Sequence, residues 1–371
     1  MRVQKQKNKK GITLVALIIT IVILLILSGV AISTLSNTGI FQKAKEAKQK
    51  SENMEKIEEK TLSEYEKELN KNSSSELTME NANIVLSQTK NTELHDVNGN
   101  KIVVPAGFKI VVNDETNNAL TVDKGIVIED TTSNATVGSQ FVWIPVGIIT
   151  KKDGTTVKIK LNRYTFDENG IPTEQNENEI GSVFSETASK GNIVAKNIGD
   201  FKKSVEKNGG YYIGRYEARK KGEQITEVAT DNVMNKITQP NAAKKAQNMY
   251  DVPYFTSDLT NSYAWDTAIL FLQNCGTDLK YSRKGRVSNV LSLTGTNTQE
   301  IKDLQCNVYD MSSNLLEFTT ETSNYAGYAC VYRGGGYSFE GKDRYTSLRS
   351  NFPNSIGYAD DGFRSILYIN I

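Results

Sequence analysis

The chain is short of the residues on which most catalytic and metal centres depend. Its 371 residues include one histidine and three cysteines. With His95 alone, a histidine-ligated zinc site and a histidine-based serine or cysteine triad are both disfavoured. The cysteines (Cys275, Cys306 and Cys330) have no CxxC spacing and are odd in number, so at most one disulfide forms and one thiol is left over.

The chain also has no large net charge of either sign, because 44 basic and 43 acidic residues leave a formal charge of +1. Such a chain has no global field to attract nucleic acid, and we expect no nucleic-acid partner. Most of the sequence is polar and rich in Asn, Thr, Ser and Gly, which is typical of a loop-rich extracellular module.

The N-terminus carries a long apolar run. No charged residue occurs from Gly11 to Gln42, and five basic residues precede the run: Arg2, Lys5, Lys7, Lys9 and Lys10. A helix over residues 12–35 is long enough to cross a bilayer, which takes about 20 residues. The basic flank stays in the cytoplasm, so we expect a single-pass membrane protein with its C-terminal bulk outside the cell, at the cell surface or on a pilus.

The junction Lys10-Gly11-Ile12 resembles the cleavage site of type IV prepilins and pseudopilins. The resemblance implies that a prepilin peptidase removes a leader, residues 1–11, and methylates Ile12. A plain signal anchor and a cleaved secretory signal peptide are the alternatives. At the fifth mature position, where the family usually has glutamate for contact with a neighbouring subunit, this chain has Ala16. That departure argues against a bulk-polymerising pilin. The remaining possibilities are a minor or tip subunit, or a membrane protein that uses only the prepilin export route.

Beyond the membrane segment the pattern changes twice. Apolar residues at helical spacing predict an amphipathic stalk helix at residues 38–70, and a polar stretch predicts a linker at 71–100. Short β-branched runs between turn residues then begin, as in Phe141-Val-Trp-Ile-Pro. We expect one α+β domain at 101–371, with short helices at 240–250 and 262–274.

Six signatures follow one another in this domain: Phe141–Gly147, Gly209–Glu217, Tyr263–Ala268, Asn307–Phe318, Tyr332–Tyr337 and Gly362–Arg364. In this order they resemble the sulfatase-modifying-factor or formylglycine-generating-enzyme family. The resemblance covers about residues 140–371 and implies a C-type-lectin-like fold. The fold class expected for the whole chain is therefore α+β, a long pilin-like transmembrane helix followed by a loop-rich lectin-like domain.

Two arginines lie within these signatures. Arg333 precedes three glycines, which predicts a strand end with a close backbone approach where side chains do not fit. Arg364 precedes a terminal core strand. We expect both guanidinium groups to be buried and paired with acids such as Glu217, Glu317 or Asp310, against the alternative of direct ligand contact.

Asn314 and Glu317 are the candidate metal ligands. In the resembled family the corresponding turn can hold calcium through Asn, Glu and backbone carbonyls, and oxygen ligands suit this hard cation. Here Ser313 replaces the usual glycine. The alternative is a turn closed by hydrogen bonds alone, so Ca²⁺ is the one cofactor to consider.

Catalytic members of the family hold copper with two cysteines that follow the Arg-Gly-Gly turn, and thiolates select Cu(I). The matching positions here are Phe339 and Arg344. The known chemistry therefore lacks its ligands, and we do not expect an enzyme.

The expected function is instead adhesion or binding, by a prepilin-like surface protein whose lectin-type domain takes an extracellular glycan or protein ligand. Residues 337–361 have a paratope-like composition. The alternatives are a catalytic formylglycine-generating-type enzyme with unrecognised residues, and a pseudopilin component of a secretion or uptake machine. Expected partners are prepilin peptidase, the membrane and other pilin-like subunits. The candidate ligand-binding residues are Tyr337, Phe339, Arg344, Tyr345, Asn351, Asn354, Tyr358 and Asp360.

Overall fold

The computed structural model describes residues 75–132, 135–175, 184–187, 191–286, 289–293, 303–338 and 344–371, together with Ile18, Ile19, Ile21 and Met54. The chain divides into two units, Met1–Leu62 and Ser63–Ile371. The four described residues of the first unit are helical. The predicted leader, transmembrane helix and stalk otherwise lie outside the described residues. Within the described residues, no helix is both long enough and apolar enough for a membrane crossing.

The described part of the second unit mixes a few helices with many short strands, which agrees with the predicted α+β class. The helices are α1 Ile198–Asn208, α2 Gln239–Gln247 and α3 Ser262–Cys275, and there are 3-10 turns at Asp114–Thr116, Val122–Lys124 and Tyr281–Arg283. The strands are β1 Thr92–His95, β2 Lys101–Val104, β3 Phe108–Val111, β4 Val127–Asp130, β5 Gln140–Pro145, β6 Gly147–Thr150, β7 Thr156–Ile159, β8 Arg163–Phe166, β9 Pro172–Gln175, β10 Phe184–Ser185, β11 Gly210–Gly214, β12 Arg219–Lys221, β13 Gln224–Thr226, β14 Asn232–Val233, β15 Phe255–Leu259, β16 Leu304–Gln305, β17 Val308–Tyr309, β18 Leu316–Ser323, β19 Cys330–Arg333, β20 Arg349–Phe352, β21 Asp361–Phe363 and β22 Ser365–Ile369.

A six-stranded antiparallel sheet forms the centre of this unit, in the order β15-β22-β11-β5-β4-β3. β5 comes from an apolar run that the sequence predicts as a strand, and β22 is the predicted terminal core strand. β15, with the sequence Phe-Thr-Ser-Asp-Leu, was not predicted. The central strands are buried along their whole length, as their continuous apolar sequence requires. Trp143 of β5 packs on Tyr212 of β11, with ring centroids 4.9 Å apart.

The helices begin at side-chain caps and pack on this core. Asn197 accepts a hydrogen bond from the Asp200 amide (3.0 Å) at the start of α1, and Asn261 does the same for Ala264 (2.8 Å) at α3. Both α2 and α3 agree with the predicted helices. Nearly every residue of α3 is buried, so this helix runs through the core rather than along its surface.

A second sheet brings three separate sequence signatures together. Its order is β10-β18-β19-β20, and β21 pairs with β18 in parallel. Glu317 of β18 lies opposite Arg333 on one side and opposite Gly362 on the other. Arg364 is the single residue between β21 and β22, so it stands where the two sheets meet.

The folded unit begins earlier than the sequence analysis places it. Residues 75–100, assigned there to a linker, carry β1 and contribute Leu77, Ala82 and Leu94 to the core. A tight turn at Asn98-Gly99 follows β1, with the Gly99 amide donating to the Asp96 carbonyl (2.8 Å). The segment is polar overall, and its few core residues are too widely spaced to form a periodic pattern. The sequence therefore does not predict that it belongs to the folded unit.

Candidate functional site

Arg364 is buried between the two sheets and pairs with Glu317, as the sequence predicts. Its Nε lies 2.9 and 2.7 Å from the two carboxylate oxygens of Glu317. The remaining donors reach backbone carbonyls, Nη1 to Gly214 (3.0 Å) and Nη2 to Tyr309 (2.9 Å). Both side chains are excluded from solvent. This arginine therefore joins three strands, β11, β17 and β18, and leaves no donor facing solvent.

The predicted calcium turn is occupied by protein contacts. The Asn314 side-chain oxygen accepts from the Ser292 amide (2.8 Å), and its nitrogen donates to the Glu217 carboxylate. Glu317 is held by Arg364, whose positive charge opposes a cation at the same oxygens. Among the described residues, no cluster of three or more acidic, histidine or cysteine side chains suits a metal ion. The geometry favours the hydrogen-bonded turn, and the calcium interpretation stays a prediction.

Glu227 lies beside this network as a buried carboxyl whose Oε1 accepts from the Ser365 amide (3.0 Å). Burial raises the pKa of Glu227 to about 8, against the lowering by that hydrogen bond and by Arg364. A raised pKa means that the folded state binds the proton more tightly than the unfolded state. The contribution of Glu227 to stability is therefore complete below its ordinary pKa and is lost as the pH rises through about 8.

Replacing Glu227 with glutamine should remove this pH dependence, because the amide keeps the shape and stays neutral. We expect Glu227→Gln to match the wild type near about pH 5 and to be the more stable protein near about pH 9. Urea unfolding, followed by the fluorescence of Trp143 and Trp265, measures the free energy of unfolding at each pH. Parallel curves for the two proteins would contradict the assignment.

Arg333 is buried as predicted, but its acidic partner is not one of those expected. It pairs with Asp266 on α3. Arg349 of β20 also contacts Asp266, and its Nε lies 3.0 Å from Glu321. Arg333 and Asp266 are 67 positions apart in the sequence, and they meet because α3 packs against the second sheet.

The glycines after Arg333 confirm the predicted close backbone approach. A Cβ on Gly334, whose φ is +79°, would lie 2.6 Å from the Met311 carbonyl oxygen. A Cβ on Gly335 would lie 2.1 Å from the Ser312 carbonyl oxygen. No real Cβ tolerates these distances, so the turn accepts only glycine unless the backbone moves.

Two of the predicted ligand-binding residues meet through an aromatic row that the sequence analysis did not single out. Tyr358 is 54% exposed and packs edge-on against Phe352, with ring centroids 5.7 Å apart. Phe352 in turn contacts Tyr332 at 5.1 Å. Arg344 donates from Nη1 to the Tyr332 hydroxyl (2.8 Å). We call Tyr332, Phe352, Tyr358 and Arg344 the aromatic face.

The other predicted ligand-binding residues make their own contacts. The Tyr337 amide donates to the Asn314 carbonyl (2.9 Å), and Asp360 accepts from the Ser338 hydroxyl. Tyr345 lies under the guanidinium of Arg283, 3.6 Å from its ring centre. Phe339 lies outside the described residues.

Asn351 and Asn354 complete the predicted set. Asn351 belongs to β20, opposite Val331, and so lies on an edge strand of the second sheet. Asn354 lies beside Gly191. Among the described residues of this set, Tyr358 and Arg344 are therefore the two that shared contacts with Phe352 and Tyr332 bring together, and the ligand-binding role of the set stays a prediction.

A second surface feature, which the sequence analysis did not consider, is a groove of about 660 Å³ lined by lysines. We call it the basic groove and define it by Lys220, Lys236, Lys244 and Lys245. Adjacent lysines give the local signals, at Lys220-Lys221 in β12 and at Lys244-Lys245 on the predicted helix. Lys220 and Lys236 join Lys244 and Lys245 through the fold, because β12 and the segment before α2 come together.

Comparison with known proteins identifies the N-terminus. The family model described as the prokaryotic N-terminal methylation motif matches residues 6–32. This confirms the predicted prepilin-like N-terminus, which includes Gly11 and Ile12. Such a motif implies processing by prepilin peptidase and a membrane or cell-surface location.

The remainder of the chain has weaker matches. No curated protein matches the sequence. CarF, a solved structure, is 19% identical, with a TM-score of 0.23; the match covers 31% of this chain and 48% of CarF, so the chain spans about half of its length. Treponema denticola variable protein 1 is 13% identical, with a TM-score of 0.26; 62% of this chain and 96% of that protein are covered. The resemblance to the formylglycine-generating-enzyme family stays a prediction.

Proposed function

We propose that this chain is a prepilin-like, membrane-anchored surface protein that displays a non-catalytic, lectin-type ligand-binding domain outside the cell. The methylation motif at residues 6–32 carries the proposal, because it marks the chain for prepilin processing. The folded unit Ser63–Ile371 follows that motif and is the part available for display. Ala16, in place of the usual glutamate, favours a minor or tip subunit over a bulk filament subunit.

The surroundings of the cysteines support a binding role over catalysis. Cys330 is buried in β19, and its thiol donates to the Phe352 carbonyl (3.1 Å). Burial raises the pKa of the Cys330 thiol, so the thiolate that would attack a substrate or bind copper is disfavoured. Cys275 and Cys306 are likewise free thiols with pKa values raised by burial.

The aromatic face supports a ligand contact around Tyr358. An exposed tyrosine that rests on Phe352 and Tyr332 offers a large apolar surface at low cost in conformational entropy. Arg344 places a positive charge next to that surface. Glycans and proteins both offer apolar patches with neighbouring hydrogen-bonding groups, which this combination can hold.

Tyr358→Ala should weaken ligand binding and leave the fold intact, because the side chain is 54% exposed. An array of extracellular glycans and surface proteins, probed with full-length protein in detergent, supplies the ligand. We expect the affinity for that ligand to fall by about 1–2 kcal/mol, as for an interface anchor.

The matched control is Tyr325→Ala, because Tyr325 is also exposed (59%) and also contacts an aromatic ring, that of Tyr328. It should bind as the wild type does. An equal loss in both variants would contradict the assigned surface. Formation of formylglycine in a cysteine-containing peptide with added copper would contradict the non-catalytic proposal.

A further inference from the structure

The basic groove concentrates positive charge that the composition of the chain does not predict. The four lysines come from β12, from the segment before α2 and from α2 itself. Among the described residues that line the groove, none is acidic. The formal charge of the whole chain is only +1, so this local excess is a property of the fold. Clefts lined by one sign of charge attract ligands of the opposite sign.

The floor of the groove is apolar and fixed. Met234 and Ile237 are 8% and 6% exposed, and both belong to the core. The floor is held to residues 357–359 by two hydrogen bonds, from the Lys236 amide to the Tyr358 carbonyl (3.1 Å) and from the Asn235 side chain to the Ala359 carbonyl (2.7 Å). A Cβ on Gly357 would lie 2.1 Å from the Ile237 carbonyl oxygen, so the two segments are in direct backbone contact.

The polar groups of the groove are suited to hydroxyls as well as charges. Asn241 and Thr238 line it beside the lysines, and the Thr238 side chain does not cap α2. Lysine offers a mobile point charge with three donors, without the planar fork with which arginine holds a single carboxylate or phosphate. The four lysines are therefore better suited to a ligand with several charges along its length than to a ligand with one planar anionic group.

We infer that the basic groove binds an anionic carbohydrate, one that carries sulfate, phosphate or carboxylate groups on a sugar chain. The lysines take the charged groups, Asn241 and Thr238 bond to hydroxyls, and the apolar floor contacts the carbon face of a sugar ring. The inference goes beyond the proposed function, because the groove contains none of the predicted ligand-binding residues. It depends on that proposal only for the location of the domain outside the cell.

Binding of defined polymers to full-length protein in detergent tests this inference. The probes are dextran sulfate and polygalacturonate, which differ in their anionic group, with neutral dextran and inorganic polyphosphate as references. Lys236→Ala combined with Lys244→Ala removes two charges of the groove. We expect its affinity for the bound anionic polymer to fall about tenfold, and the loss to shrink at high salt as the attraction is screened.

Two variants control for charge and for folding. Lys152→Ala combined with Lys203→Ala removes two exposed charges elsewhere and should bind within about twofold of the wild type. Lys236→Arg combined with Lys244→Arg keeps the charge and should retain binding.

The inference is supported if dextran sulfate or polygalacturonate binds the wild type and the arginine pair but binds the groove alanine pair more weakly. The polymer that binds identifies the preferred anionic group. Equal losses in both alanine pairs, equal binding of polyphosphate, or no binding of either anionic carbohydrate would overturn the inference. The groove variants change only lysine side chains and Tyr358→Ala changes only the aromatic face, so different substitutions test the two surfaces.

Discussion

Replacing Arg364 with methionine should lower the free energy of unfolding by about 3–5 kcal/mol, the cost of leaving a buried charge without its partner. Glu317 would lose its charged hydrogen bonds from Arg364, and the carbonyls of Gly214 and Tyr309 would lose their donors. Burial already raises the pKa of Glu317 against the opposing effect of Arg364. Without the arginine, the carboxyl would take up a proton on folding. Urea unfolding followed by tryptophan fluorescence gives the size of the loss.

Two further variants separate a stranded charge from a simple loss of packing. Arg364→Met combined with Glu317→Leu should recover part of the stability, because an apolar pair strands no charge. Arg283→Met, at a half-buried arginine that rests on Tyr345, should cost about 1 kcal/mol or less. A double variant that is less stable than Arg364→Met alone would contradict the proposed role of this ion pair.

Gly11→Ile should completely block removal of the leader. The junction Lys10-Gly11-Ile12 lies within the matched methylation motif, and the resemblance to prepilins places cleavage after Gly11. A bulky β-branched side chain at that position replaces the smallest residue at the bond to be cut. The variant should accumulate with its leader attached, as shown by immunoblotting of membranes for a tag on the leader.

Ile12→Leu is the matched control, because it changes the other side of the same bond and keeps an apolar first residue. It should be processed as the wild type is. Processing of Gly11→Ile at the normal rate would show that a different enzyme, or a different site, is in use.

The sequence predicts the parts of the fold whose signals are local. Continuous apolar runs mark the buried strands β5, β11 and β22, because strands covered on both faces cannot alternate. The glycines after Arg333 mark a close approach that only glycine permits. The buried ion pair also confirms the pairing of Arg364 with Glu317, which the sequence named as one of three candidate acids.

The remaining features depend on contacts between distant segments. Asp266 and Arg333 are 67 positions apart, and nothing near either residue marks the other as its partner. Phe352 and Tyr332 support Tyr358 only because β19 and β20 pair. The basic groove gathers lysines from three elements, each of which alone reads as an ordinary solvated surface.

The intact mass of the wild-type protein extracted from membranes tests the central claim most directly. If the chain is a prepilin-like surface protein, the mass should correspond to loss of Met1–Gly11 and addition of one methyl group at Ile12. A protein that keeps its leader, or one that is cut beyond Ala31, would contradict the account.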